Sequence, residues 1–195
     1  MSNTSTSDVD LVGSEMTSNI ARVALLAALM GAFAYVSFPN PLAPTIPVTL
    51  QVLGVFLAAI FLGPVWGAVA MVVYLLAGAL GVPVFSSGSA GLGSFFGATG
   101  GYLVSYPFAA FLVGVVVHGG LEPNAPKAVS AGRLIVGMAL AVPVVYAFGI
   151  PVYWYYLDVT WTTAIINAGL LFVPAEAVKI AAAVGIVHSD RLKTA

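Results

Sequence analysis

Apolar runs long enough to cross a bilayer, cut at intervals by proline and glycine, constrain this 195-residue chain more than any single motif does. The first runs from about Ile20 to Phe38, which at 1.5 Å per residue is enough for a hydrocarbon core of about 30 Å. It stops in PNPLAPTIP, residues 39–47, whose four prolines forbid a helix. Residues 48–81 hold two further runs of about 16 residues each, separated at Pro64, and predict a helical hairpin with a very tight turn. VPVFSSGSAGLGSFFGATGG, residues 82–101, is too rich in glycine for a regular helix yet apolar enough to lie against protein at membrane depth.

A fourth span is expected from Tyr102 to about Val117 and a fifth from Leu134 to about Ile150, joined by the polar HGGLEPNAPKAVSAGR. PVYWYYLDV follows, an aromatic cluster of the kind that favours a membrane–water interface. Proline suits the first turn of a helix, so a sixth span is expected from Pro174 to about Val187, with Thr160 to Val173 as a separate half-buried helix. The competing reading is one helix kinked at Pro174. The fold class predicted is therefore all-α, a six-helix membrane bundle over residues 20–188, flanked by a disordered tail at 1–19 and a short tail at 189–195.

Composition supports lipid as the solvent. Hydrophobic residues make up 61% of the chain and charged ones 7%, with a mean hydropathy of +1.06. A soluble domain carries about 25% charged residues, so this chain has no polar coat to offer water. Cysteine is absent, which excludes disulfides and thiolate chemistry. The net charge of −1 and six scattered Lys and Arg give no case for nucleic acid. An even number of spans puts both termini on one side. Arg22, Lys127, Arg133, Arg191 and Lys193 all fall on that side, so the termini are expected to be cytoplasmic, and the proline loop, the glycine-rich loop and the aromatic cluster to face outward.

The sixth basic residue is Lys179, about 8 Å below the outer end of the last helix. It lies three positions after Glu176 in VPAEAVK, so both sit on one helical face and can pair, and Glu176 occupies a first turn where the helix dipole favours an anion. A bare charge at bilayer depth costs about 2.5–3.5 kcal/mol on insertion scales, so such residues face a cavity or each other. One reading is a structural ion pair without ligand. The other is a small-molecule pocket, since two irregular loops converge there beside Thr49 and Gln51, and irregular backbone at membrane depth is tolerated only where buried or lining a cavity. A ligand with a carboxylate at one end and neutral hydrogen-bonding groups at the other would suit it.

Other features carry less. The glycine-rich loop lacks a Walker lysine, and His118 and His188 lack ligand-spaced partners, so neither phosphate nor metal binding is expected. Ala24, Ala28 and Ala32 recur at four-residue spacing, as do Ala27 and Gly31, which lets another helix approach closely or simply packs the bundle. No nucleotide motif and no Ser/His/Asp constellation on the outer side can be assembled, so if the protein moves a solute actively, the energy has to come from ion coupling or partner subunits. A structural membrane protein in which Glu176 and Lys179 only pack is the alternative from a different class, and an intramembrane hydrolase with Glu176 as base is the third.

The run PTIPVTLQVLGVFLAAIFLGPVWGAVAMVVYLLAGALGVPVF, then GLGSFFGATGGYLVSYPFAAFLVG and the late VPAEAVK, resembles the BioY family, biotin-specific substrate-binding (S) components of energy-coupling factor (ECF) transporters. The likeness spans about residues 20–188 and is strongest from Pro44 to Gly114. It implies six helices, no catalysis and no cofactor, an outward-facing biotin pocket roofed by the loop from Phe38 to Pro47, residence in the plasma membrane, and association with a transmembrane coupling subunit and cytoplasmic ATPases. By the same resemblance Ala24, Ala28 and Ala32 are similar to the alanine-rich surface that meets the coupling subunit. The implied biotin-binding residues are Thr49, Gln51, Ser87, Gly100, Gly101, Tyr102, Glu176 and Lys179. The family's late motif has Pro-Gly-Asp followed by Lys; Pro174, Ala175, Glu176 and Lys179 stand at the matching positions, with alanine for glycine and glutamate for aspartate. A pocket for another vitamin is the alternative within the same class.

Overall fold

The computed structural model describes residues 13–40 and 46–189. Most of the expected N-terminal tail, the middle of the proline loop, and Arg191 and Lys193 lie outside the described residues. Helices α1 (Ser14–Tyr35), α2 (Gln51–Ala79), α3 (Gly100–His118), α4 (Ala131–Leu157), α5 (Trp161–Ala168) and α6 (Val173–Val187) make up the bundle. Among the described residues, five stretches are long and apolar enough to cross a membrane: Glu15–Tyr35, Gln51–Ala79, Gly100–His118, Ala131–Leu157 and Trp161–Val187.

The second of these folds back on itself. Gly63 has φ 79° and ψ −178°, a conformation open to glycine, and it breaks α2 one residue before the predicted Pro64. Gln51 and Tyr74 are joined by a 2.8 Å hydrogen bond, although 23 residues of straight helix would separate them by about 34 Å. The arms 51–62 and 64–79 therefore run side by side, as a hairpin. They touch at Gly67, where an added Cβ would stand 2.8 Å from the Ala59 Cα. The first arm is apolar all round and nearly every residue in it is buried, which makes it the centre of the bundle.

Breaking a helix frees the carbonyls of its last turn, and in an apolar surrounding these need partners. The His118 ring supplies one: Nδ1 accepts from the Asn124 backbone N–H at 2.9 Å, so Nε2 carries the proton and donates to the Ala59 carbonyl at 3.3 Å. Asn124 returns a bond to the His118 carbonyl at 2.6 Å. Pro123 packs against Gly63, and the His188 ring meets the Val129 carbonyl at 3.2 Å. The hairpin turn, the α3–α4 connection and the end of α6 thus share one end of the molecule. Arg133 sits there too, donating through Nε to the Val116 carbonyl at 2.8 Å and so capping α3.

Several boundaries differ from expectation. Helix α1 begins six residues before Ile20, so residues 14–19 are helical. The all-α expectation meets a small exception: β1 (Ser37–Phe38) and β2 (Val48–Thr49) pair antiparallel, Ser37 opposite Thr49, and clip together the two ends of the proline loop. Helix α4 does not stop near Ile150 but passes through Pro143 and Pro151 to Leu157, ending at Asp158 in the left-handed region (φ 48°). Each proline removes one backbone bond, which neighbouring helices can offset, so PVYWYYL is helical rather than a separate cluster. The break before the last helix falls at Gly169, after which a 3₁₀ turn (Leu170–Phe172) leads into α6 with Pro174 as its second residue.

The Gly67 contact makes a direct test of the hairpin. Gly67→Val should lower the stability of the detergent-purified protein by about 1–3 kcal/mol, the usual cost of overpacking. Gly132→Ala, at an exposed helical site with nothing within 4 Å of the new Cβ, should leave it unchanged or slightly raised. Thermal unfolding followed by tryptophan fluorescence reads both.

Candidate functional site

The other end of the bundle gathers the ribbon, the glycine-rich loop and the α4–α6 connection around a cavity of about 450 Å³. That volume falls in the range of small-molecule sites, about 300–1,000 Å³. The clipped ribbon sets Thr49 and Gln51 at the mouth of the central arm of α2. The glycine-rich loop supplies Ser86, Ser87, Ser89 and Ser94; α3 supplies Tyr102 and Tyr106, α4 Val145 and Tyr146, and α6 Glu176 and Lys179. Ile46, Phe85 and Phe172 add apolar wall. Ser87 holds φ 57°, a left-handed conformation uncommon outside glycine, and such strain concentrates at binding sites.

Six of the eight predicted ligand residues line this cavity: Thr49, Gln51, Ser87, Tyr102, Glu176 and Lys179. Gly100 and Gly101 do not. They start α3, where an added Cβ would collide with the backbone of Phe95 and of Phe148 respectively, so they serve the close approach of loop and helices. Tyr102 lines the cavity with its ring while its hydroxyl donates to the Ala168 carbonyl at 2.5 Å, tying α3 to the end of α5. Ala24, Ala28 and Ala32 do not line the cavity but are exposed along α1, while Ala27 and Gly31 on the adjoining face are buried.

The two charges pair as spacing predicts. Lys179 Nζ donates to Glu176 Oε1 at 2.8 Å, and each residue is only 5% exposed. This satisfies one carboxylate oxygen. The other, Oε2, is buried without a hydrogen-bond partner among the described residues, and so are the Tyr146 hydroxyl and Ser86 Oγ. All three belong to side chains of the cavity wall. An unsatisfied buried polar group costs about 1–3 kcal/mol, more when charged, so the wall offers an acceptor and two hydroxyls to whatever enters. Thr49 and Gln51 by contrast bond each other, Oγ1 donating to Oε1 at 2.9 Å.

Sequence reasoning missed Tyr146, Tyr106 and Ser86. Tyr146 is a lone tyrosine in the apolar middle of α4, and nothing in its neighbours marks it. Ser86 stands beside the chosen Ser87, and only the backbone turn at Ser86–Gly88 decides which hydroxyl is buried.

The sequence matches the BioY family over residues 2–194. The chain belongs to the BioY family. Relatives include the biotin transporter BioY of Rhodobacter capsulatus, 38% identical over 140 residues covering 71% of this chain and 70% of the relative. The biotin transporter BioY of Thermotoga maritima is 35% identical over 138 residues, 71% of this chain and 75% of its own. The probable biotin transporter BioY of Bacillus subtilis is 32% identical over 167 residues, 84% of each. Among solved structures, the S-component for biotin from an ECF-type ABC transporter superposes with a TM-score of 0.81 at 24% identity, covering 94% of this chain and 95% of that one. The family's fold is thus that of a polytopic helical membrane protein, and this chain shares it.

Removing one partner of a desolvated ion pair costs roughly 3–5 kcal/mol, whereas replacing both by apolar groups of similar volume can be neutral. Glu176→Gln and Lys179→Met should therefore each lower the thermal stability of the purified protein markedly. The double variant Glu176→Leu with Lys179→Met should recover most of the loss in the same melting experiment.

Proposed function

We propose that this chain is the membrane-embedded, biotin-binding S component of an ECF-type vitamin uptake transporter, and that it captures its ligand without chemical change. The observation that carries the reading is the Glu176 carboxylate: one oxygen held by Lys179, the other buried and unpartnered at an amphipathic cavity of ligand size. Biotin's ureido ring offers an N–H donor to such an oxygen. Its thioether ring and chain suit Phe85, Val145 and Phe172, and its remaining acceptor oxygens suit the hydroxyls of Tyr146 and Ser86. Lys179 neutralises the carboxylate, so a neutral ureido group is bound without leaving a bare charge in the wall. Membership of a family whose relatives are biotin transporters supports the same reading.

The wider arrangement follows the same proposal. Six spans, counting the arms of α2 separately, put both termini and the His118 end in the cytoplasm, where Lys127 and Arg133 lie, and open the cavity outward across the plasma membrane. The exposed stripe of Ala24, Ala28 and Ala32 on α1 is the surface offered to a transmembrane coupling subunit, since small residues let helix backbones approach closely. Cytoplasmic ATPases joined through that subunit supply the energy that this chain has no nucleotide motif to provide.

Equilibrium binding of labelled biotin to detergent-purified protein tests the ligand. Tight binding is expected; affinity no better than millimolar, or a clear preference for another vitamin, sinks the proposal. Glu176→Leu with Lys179→Met should weaken binding at least a hundredfold, roughly 2.7 kcal/mol, while staying folded, and Tyr146→Phe by up to about tenfold. Orientation can be read in the same cysteine-free background. A cysteine placed at Glu122 should react with an impermeant maleimide only from the cytoplasmic side, and one at Thr160 only from outside.

A further inference from the structure

One buried hydroxyl near the cavity belongs to no wall. Tyr74, on the second arm of α2, is 1% exposed and stands one layer behind Gln51. Its ring packs edge-on against Phe85 with centroids 5.4 Å apart, and Phe85 packs likewise on Phe95 at 5.5 Å, so the tyrosine is held by the glycine-rich loop. Its hydroxyl donates to the Val84 carbonyl at 3.0 Å. A carbonyl oxygen can only accept, so the single phenolic proton is committed there, and towards Gln51 the phenol oxygen can only accept. The group facing it at 2.8 Å must then be the Gln51 amide nitrogen. The amide oxygen is left on the other side, where Thr49 Oγ1 donates to it and itself accepts from the Gln51 backbone N–H at 3.3 Å.

Resting on the biotin reading above, we infer that Tyr74 is a positioning residue that fixes the Gln51 amide in one orientation, so that this wall of the cavity presents an N–H donor to an acceptor oxygen of the ligand. Turning the amide over would set its oxygen against the phenol oxygen, acceptor against acceptor. One N–H of the Gln51 amide is used on Tyr74; the second remains for the ligand. With Glu176 Oε2 accepting elsewhere in the same cavity, the site selects a molecule that both donates and accepts. In biotin the acceptor is either the ureido carbonyl or the chain carboxylate.

Two analogues separate these sources: 2-thiobiotin, whose thiocarbonyl is a poor acceptor, and biotinol, which replaces the carboxylate by a hydroxyl. The measured quantity is the ratio of each analogue's dissociation constant to that of biotin on the purified full chain. The wild-type protein should discriminate strongly against one analogue. Tyr74→Phe, which keeps the ring and removes only the hydroxyl, should reduce that ratio by about tenfold, the weight of one hydrogen bond, and leave the other ratio within about twofold. General loosening of the fold would weaken all three ligands alike and move neither ratio. Gln51→Leu should reduce the same ratio, and adding Tyr74→Phe to it should change nothing further, because the tyrosine acts through the glutamine.

Wild-type binding of biotin with no discrimination against either analogue overturns the inference. So does an unchanged ratio in Tyr74→Phe, an additional fall in the double variant, or an unchanged ratio in Gln51→Leu, which decides the matter even if Tyr74→Phe does not fold. A wild-type chain that fails to bind biotin overturns the biotin reading itself, and the inference with it.

Discussion

The reversal of the chain at Gly63 is the constraint on which the remaining structure depends. It turns one apolar stretch into two arms, buries the first of them at the centre of the bundle, and brings Gln51 beside Tyr74 across 23 residues. The reversal also frees backbone carbonyls, to which a membrane offers no water. The His118 ring on α3 meets that need at Ala59, and Asn124 fixes the ring's tautomer from the following connection. Three separate segments are thus locked together at the end opposite the cavity. Rigidity there leaves the cavity end free to be built from loops.

That end is assembled from five separate stretches of chain, each contributing at least one polar group to an otherwise apolar wall. The polar groups fall into two kinds. Thr49, Tyr102 and, through its amide oxygen and one N–H, Gln51 are engaged with other protein groups and hold shape; Glu176 Oε2, Tyr146 and Ser86 have no such partner among the described residues. A buried network with unfinished bonds is unfavourable for folding alone, and its presence beside a ligand-sized space is what a binding function explains and a purely structural role does not.

What the sequence made legible follows from the range of the interactions involved. The break near Pro64 and the pairing of Glu176 with Lys179 depend on residues within one helical turn, and each was read within a residue of its place. The apolar runs were found but their ends were not: α1 starts at Ser14 rather than Ile20 and α4 runs to Leu157 rather than Ile150. The passage of α4 through Pro151 was missed, because the local penalty of proline is overridden by packing against other helices. Gly100 and Gly101 looked like ligand contacts, yet the space they leave is filled by Phe95 and Phe148, 5 and 47 residues away in the chain. Tyr146 could not be found for the same reason: its role lies in a hydroxyl without a partner, and partners are a property of the folded arrangement. The ribbon between Ser37 and Thr49 is too short to leave any alternating pattern.

Glu176 and Lys179 stand three residues apart on one helix, and this spacing makes the pair a single rigid body. Neighbouring helices can tilt or slide without drawing the charges apart, and the local net charge stays at zero whichever way the bundle moves. Movement of the neighbouring helices therefore does not by itself pull this ion pair apart. The facing half of the enclosure is carried by other elements, the glycine-rich loop and the ribbon, which are not part of that body.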